Sequence, residues 1–276
     1  MTLKEAINLL AQAGVEYPEH DARELFIAFG GFSRSMPPRL SDFSDSPALV
    51  GAVARRAARE PLQYIIGEVG FCHETYRVSP AVLIPRQDTE LLVLLSAKRL
   101  PTGARFLDLC TGSGCVGIST LRATESTVCH AVDVSPAALD VARENAALNS
   151  VAERFFTDCR DLCAEDTPRA LSEGAPYFAV LANPPYIRDS LRGALGDEVA
   201  AEPDIALFGG EDGADFYRLL TPICRELIEA NGFIAYEIGF DQGEIIKEIA
   251  RSAGMSAEVY TDLAGLDRVA ILKRID

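Results

Sequence analysis

The chain is poor in histidine and in basic residues, and it holds no long apolar run. Its three histidines, His20, His73 and His130, are isolated from one another, and among its seven cysteines Cys159 and Cys163 come nearest to a metal pair. No second Cys or His pair stands at zinc-site spacing, so no metal site is expected. An odd number of scattered cysteines, several in apolar strand contexts (Cys110, Cys115, Cys129), fits buried thiols in a reducing cytoplasm better than a disulfide framework. Nothing approaches the ~18 apolar residues needed to span a bilayer, and Lys4 and Glu5 interrupt the place where a signal segment would be apolar. A soluble cytoplasmic chain is expected. Lys and Arg number 26 against 41 Asp and Glu, a formal net charge of −15. Phosphate binding rests on Lys and Arg, so this balance disfavours nucleic acid as a stable partner. Arg55, Arg56 and Arg59 form a short basic strip that reads as a solvated helix face or a local patch.

What is present divides in two. At 276 residues and 48% hydrophobic, the chain is long enough for one large domain with a small appendage. Residues 1–62 read as helices. Thr2 and Glu5 have capping-box spacing before Ile7, Leu10 and Val15, with Gly14 as a stop; Pro18 to Phe29 follows; Ser46-Pro47 opens a third helix that ends before Pro61. Residues 63–86 hold short β-prone runs, Tyr64 to Ile66, Gly70 to Cys72 and Thr75 to Val78, which suggest a hairpin linker. From residue 87 strands and helices alternate, the pattern of an α/β fold with a parallel sheet.

Within that pattern Arg105 to Leu109 reads as a buried strand running into Cys110-Thr111-Gly112-Ser113-Gly114 and then a helix to Ala123. The glycines permit positive φ and close approach of a ligand, while Asp108 either fixes the turn or faces a cationic group. Gly112-Ser-Gly114-Cys-Val-Gly117 also satisfies G-x-G-x-x-G formally, which leaves a nicotinamide cofactor open, although a dinucleotide turn opens on glycine directly from its strand. The next strand ends at Asp133, about twenty residues on, where an acid binds ribose hydroxyls. Ser135-Pro136 then caps a helix through Asn145 and Leu148. A third strand ends at Asp158-Cys159, where the base of an adenosine would lie. Tyr177 to Ala182 is a further apolar strand, and it delivers Asn183-Pro184-Pro185-Tyr186 to the carboxyl edge of the sheet. Two prolines remove two N–H donors and fix φ, so this turn offers carbonyls and the Asn183 amide to an NH2 group. Its plain alternative is a turn that merely ends a strand. Ile187 to Asp212 is a long acidic stretch that suits a lid. Beyond it come a helix from Asp215 to Ala230, a strand to Ile238, a helix from Asp241 to Ala253 and two closing strands.

These segments resemble the release-factor glutamine methyltransferases of the HemK/PrmC type. The likeness runs through Pro61-Leu-Gln-Tyr-Ile-Ile-Gly67, Val82-Leu-Ile-Pro-Arg86 with Thr89-Glu90, the Thr111 to Gly114 turn, Asn183 to Ile187, Glu202-Pro203 with Gly209 to Gly213, Tyr236-Glu-Ile-Gly239, and Asp262 to Gly265 with Asp267-Arg268. It implies a seven-stranded Rossmann-like class I methyltransferase domain over 87–276 and a helical substrate-docking domain over 1–62. It implies S-adenosylmethionine as cofactor, leaving S-adenosylhomocysteine, held by Asp108, Cys110, Thr111, Gly112, Ser113, Gly114, Asp133, Asp158, Cys159 and Asn183. The substrate implied is the glutamine in the Gly-Gly-Gln loop of peptide-chain release factors, its N5 amide gripped by Asn183, Pro184, Pro185 and Tyr186. Departures from the family pattern are Cys110 in place of glycine, Gln87-Asp88 in place of Pro-Glu, and Cys159 where an aromatic is common. Cysteine at the first of these is acceptable only where the backbone has negative φ.

An amide nitrogen is a poor nucleophile, so orientation carries much of the rate, with Asn183 Oδ1 and the Pro184 carbonyl as acceptors and Tyr186 as a wall or a hydroxyl contact. No general-base histidine is required. The alternative enzyme is an amino-group methyltransferase acting on an adenine or other base of DNA or RNA, which presents the same planar NH2. A silent cofactor-binding module is the non-enzymatic alternative.

Overall fold

The computed structural model describes residues 1–275 and separates into two compact units, Met1–Glu68 with Leu195–Ala201, and Val69–Ala194 with the chain from Glu202 onward. The first unit holds α1 (Leu3–Gln12), α2 (Pro18–Phe29), α3 (Pro47–Ala57) and α4 (Leu62–Ile66). Thr2 and Glu5 form the expected capping box, with the Thr2 hydroxyl accepting from Glu5 N at 3.2 Å and Glu5 Oε2 accepting from Thr2 N at 2.7 Å. Leu3, Leu10, Leu25, Phe26, Leu49 and Val53 fill the core of this unit. Arg56 is a core member and not a solvated cation. It is 2% exposed and donates to Asp21 Oδ2 at 2.7 Å and to Glu198 Oε1 at 2.6 Å. A buried guanidinium persists only where carboxylates and hydrogen bonds replace its water. The short run Tyr64 to Ile66, expected as β-prone, closes α4 because Pro61 sets the helix start and Gly67, at φ 87°, ends it.

In the second unit the hairpin of β1 (Glu68–Phe71) and β2 (Glu74–Arg77) stands apart from the main sheet. It packs into the same core cluster as the main sheet through Phe71 and Tyr76 and so belongs to this unit, where a hairpin linking two domains was expected. Then come α5 (Glu90–Ala97), β3 (Arg105–Leu109), α6 (Cys115–Ala123), β4 (Val128–Asp133), α7 (Pro136–Leu148), β5 (Phe155–Cys159), α8 (Thr167–Ser172), β6 (Tyr177–Ala182), α9 (Asp215–Leu227), β7 (Ile228–Glu237), α10 (Gly243–Ser252), β8 (Met255–Thr261) and β9 (Asp267–Arg274). Among the described residues seven strands form one sheet in the order β5-β4-β3-β6-β7-β9-β8. β3 to β7 pair in parallel, and β9 is antiparallel to both β7 and β8. Alternation along the strands fills two cores. Phe106, Cys129, Ala131, Leu181 and Phe233 face one side, while Leu107, Leu109, Val180, Ile234 and Tyr236 face the other. This double burial explains why the interior strands read as unbroken apolar runs. The chain order reverses between β3 and β6, so the carboxyl ends of these two strands form the crevice where open α/β sheets bind ligands.

Candidate functional site

The register sets the site. Leu109 of β3 lies opposite both Val132 of β4 and Ala182 of β6, and Ala182 lies opposite Tyr236 of β7. The next residue of each strand, Cys110, Asp133, Asn183 and Glu237, therefore emerges along one edge. A cavity of about 440 Å³ opens there, within the range of small-ligand pockets, its walls including Thr111, Gly112, Ser113, Asp133, Asn183 and Pro185.

The glycine turn is held from below. Asp108 is buried, and its Oδ2 accepts from the Thr111 hydroxyl at 2.6 Å and from Gly117 N at 3.0 Å. Of its two expected roles it takes the first, fixing the turn, and it does not line the cavity. Burial pushes its carboxyl up to about 7. A Cβ on Gly117 would come within 2.8 Å of the same Asp108 oxygen and 2.9 Å of Cys129 Sγ, so the third glycine of the pattern serves helix-to-strand packing. Gly112, at φ 54°, leaves open space where a side chain would be. Asn145, noted in the sequence only as a helix position, donates from Nδ2 to the carbonyls of Ser113 (2.9 Å) and Arg77 (3.0 Å) and so ties the turn to β2.

Cys110 corrects an expectation. Its φ is +58°, in the left-handed region, and not negative as a cysteine there would favour.

Asp133 faces the cavity with both oxygens engaged, Oδ2 accepting from Gly112 N and Oδ1 from Ser135 N, each at 2.9 Å. Every carboxylate oxygen has a second lone pair, so it keeps acceptor capacity toward a diol. β5 itself runs on through Asp158 and Cys159, so the wall on this side comes later in the chain than expected. Asp158 is exposed and paired with Arg160, Cys159 is exposed with its thiol toward the Val134 carbonyl, and neither lines the cavity. Asp161, Leu162 and Cys163 form that wall instead. Gly114 is likewise outside the lining. It caps α6 at φ 81°, where a Cβ would strike Ile118.

The wall formed by Pro80 to Arg86 is pinned by Glu202, which is 5% exposed, accepts from Ile84 N at 3.0 Å and pairs with Arg86. Beyond it Pro203, Ile205 and Ala206 also line the cavity, so part of the stretch expected as a lid is wall. The Asn183 to Tyr186 turn is wrapped by the following loop. A Cβ on Gly209 would stand 2.3 Å from the Pro185 carbonyl oxygen, and one on Gly213 would stand 2.2 Å from that of Tyr186, which only glycine permits. Asn183 and Pro185 line the cavity, while Pro184 and Tyr186 stand outside its lining. The Tyr186 hydroxyl donates to Glu237 Oε1 at 3.2 Å, so its proton is engaged within the protein.

The residues present fit an adenosine-bearing cofactor: a carboxylate at the end of β4, a bare glycine backbone, and apolar walls from Val82, Val134, Ala138 and Leu162 for a flat base. Among the described residues no cluster of three or more His, Cys, Asp or Glu stands ready to hold a metal, and no helix is long and apolar enough to cross a membrane.

Residues 2–67 match the PrmC N-terminal domain family, and residues 86–202 match the methyltransferase small domain family. A release factor glutamine methyltransferase of Moorella thermoacetica is 38% identical, the alignment covering 99% of this chain and 97% of that one. The chain belongs to the release factor glutamine methyltransferases. A second member of the family, from Cereibacter sphaeroides, is 36% identical over 97% of this chain and 95% of its own. Among solved structures, a ribosomal protein L11 methylase from Lactobacillus delbrueckii subsp. bulgaricus superposes with a TM-score of 0.51 at 18% identity, covering 72% of this chain and 85% of that one; the likeness is one of fold.

The residues that sequence reasoning did not assign, Thr89, Asn145, Glu202 and Glu237, act through contacts between segments far apart in the chain. Three of them, Thr89, Glu202 and Glu237, fell inside the segments that carry the family resemblance. Membership there was the only signal available for them.

Proposed function

We propose that this chain transfers a methyl group from S-adenosylmethionine to the side-chain amide nitrogen, N5, of the glutamine in the Gly-Gly-Gln loop of peptide-chain release factors, acting in the cytoplasm. One observation carries this reading: Asn183, at the end of β6, lines the same cavity as the Gly112 turn and Asp133. An amide acceptor thus stands beside a site suited to adenosine.

When bound, the cofactor supplies an electrophilic methyl on a sulfonium. Asp133 and the Gly112 backbone orient the ribose end. Asn183 Oδ1 and the Pro184 carbonyl accept the two protons of the substrate amide, which holds the NH2 plane while its lone pair is directed along the line of transfer. Tyr186 confines the amide with its ring. Transfer leaves the nitrogen as an N-protonated N-methyl amide, a cation so acidic that water accepts its proton and no histidine is needed. Charge is lost from sulfur as the reaction proceeds, so catalysis is served by neutral acceptors at the turn and not by carboxylates against the sulfur.

The test is mass spectrometry of a purified release factor, and of DNA and RNA oligomers, after incubation with this protein and labelled S-adenosylmethionine. A 14-Da gain, one methylene, on the Gly-Gly-Gln peptide, absent from the glutamine-to-alanine substrate, is the expected result. Asn183→Ala is expected to reduce that transfer by about 100-fold or more while keeping cofactor affinity. Label confined to nucleic acid, or turnover unchanged in the variant, would overturn the reading.

A further inference from the structure

Tyr236-Glu237-Ile238-Gly239 and Thr89 remain without a role in the chemistry above, yet they meet directly behind the Asn183 to Tyr186 turn. Glu237 ends β7 beside the strand that delivers Asn183 and is 1% exposed. Its Oε1 accepts from the Tyr186 hydroxyl at 3.2 Å, and its Oε2 has no hydrogen-bond partner of ordinary geometry among the described residues. Thr89 is equally buried. Its Oγ1 accepts from Asn183 Nδ2 at 3.4 Å, and it also stands beside Glu237, where its hydroxyl favours the charged carboxylate. Burial raises the Glu237 carboxyl, and Thr89, Tyr186 and Arg268, which itself pairs with Asp262 at 3.0 Å and Asp88 at 3.2 Å, oppose that shift and favour its charged form.

We propose that Glu237 and Thr89 are positioning residues that set which way round the Asn183 amide sits. The argument is one of donors and acceptors. A carboxylate only accepts, and a threonine hydroxyl has one proton. With that proton directed to Glu237, Thr89 Oγ1 has only lone pairs left for Asn183 and selects its NH2 group. Asn183 Oδ1 is then turned toward the cavity, where it accepts a proton from the substrate amide. Without the carboxylate the two ends of the asparagine amide are nearly isosteric, and the reversed orientation would set NH2 against NH2. Tyr186, donating to Oε1 of the same carboxylate, is held in place by the same group.

This inference rests on the proposed glutamine methylation, and its test separates the two. Glu237→Gln replaces an acceptor with a group that also donates, at nearly constant shape, so the Thr89 proton is displaced toward Asn183 Oδ1. Turnover on a release factor is measured at saturating cofactor for this variant, for Thr89→Val, Thr89→Ser and Asn183→Ala, beside cofactor affinity by calorimetry and melting temperature. The expected result is a kcat lowered ~10-fold or more in Glu237→Gln and Thr89→Val, cofactor Kd within about twofold of the parent, and Thr89→Ser close to the parent because it keeps the hydroxyl. A kcat within about twofold of the parent in Glu237→Gln, or a Thr89→Ser as impaired as Thr89→Val, would overturn the positioning role even where Asn183→Ala is inactive. A parent protein that leaves the release factor unmodified would instead remove the methylation reading itself.

Discussion

Asp133 has two tasks that a substitution separates. It clamps the Gly112 turn through backbone N–H groups and presents its remaining lone pairs to the cavity. Asp133→Ala removes both and is expected to weaken cofactor binding by about 1.5–3 kcal/mol, the range for hydrogen bonds to a charged group. Calorimetry of cofactor binding measures it, and an unchanged affinity would confine Asp133 to the turn. Cys110 presents the opposite case, a residue whose backbone works against it. A non-glycine residue at φ +58° costs about 1–2 kcal/mol, partly offset in a glycine variant by the greater freedom of its unfolded chain. Cys110→Gly is therefore expected to raise the melting temperature modestly, by about 0.5–1 kcal/mol in stability, while Cys110→Val lowers it, a β-branched residue being least tolerant of that region. A glycine variant that melts earlier would mean that the packing of the half-buried thiol outweighs the strain.

At the scale of elements, the wall from Pro80 to Arg86 has no regular structure of its own and depends on Glu202. Burial raises the carboxyl of Glu202, and Arg86 and the Ile84 N–H oppose that shift. Glu202→Ala leaves a buried N–H without an acceptor and Arg86 without its partner, at a cost of about 1–3 kcal/mol, discounted because Arg86 is itself part-exposed. Differential scanning fluorimetry with and without cofactor checks it: melting falls in both states, and the stabilisation conferred by cofactor shrinks. If that stabilisation stays whole, the wall holds its shape without Glu202. The elements themselves were largely legible. Period-2 and period-3.6 apolar patterns are local, so the seven sheet strands and the capped helices could be read from the sequence. α5 and α8 were not, the first because its near-continuous apolar run Leu91 to Leu95 has no helical face, the second because it is only 6 residues long, with Pro168 in its first turn. The helix expected to reach Ala230 stops at Leu227, since Ile228 already pairs with Tyr177.

For the whole molecule, pH is the informative variable. Asp108 has an ordinary value of 3.8, and its folded value is raised to about 7, first by burial and against the bonds from Thr111 and Gly117. A carboxyl raised on folding contributes stability that is fully present below pH 3.8 and is lost as pH rises through about 7. Glu237 and Glu202, both raised by burial, act in the same direction, whereas Asp212, held down to about 2 by Arg218, matters only in strong acid. Asp108 is therefore expected to contribute an increase of ~1 kcal/mol as pH falls from about 8 to about 6, opposed by His130, which burial lowers from 6.5, and Asp108→Asn should flatten that rise. Chemical denaturation at the two pH values measures it, and an equal slope in both proteins would place the titration elsewhere.

The sequence by itself determined the α/β pattern, the helical leading segment, the glycine turn, the acid at the end of β4 and the strand-end Asn183-Pro184-Pro185-Tyr186, because each depends on the spacing of neighbouring residues. Only the tertiary structure decided which of them share a cavity. Parallel register brought Cys110, Asp133, Asn183 and Glu237 to one edge. The continuation of β5 through Cys159 passed the base-side wall from Asp158 and Cys159 to Asp161, Leu162 and Cys163. Burial turned Arg56 from a surface cation into a core ion pair, and a contact between residues 94 positions apart joined Thr89 to Asn183. Burial and long-range pairing are properties of packed layers, and no local pattern of residues encodes them.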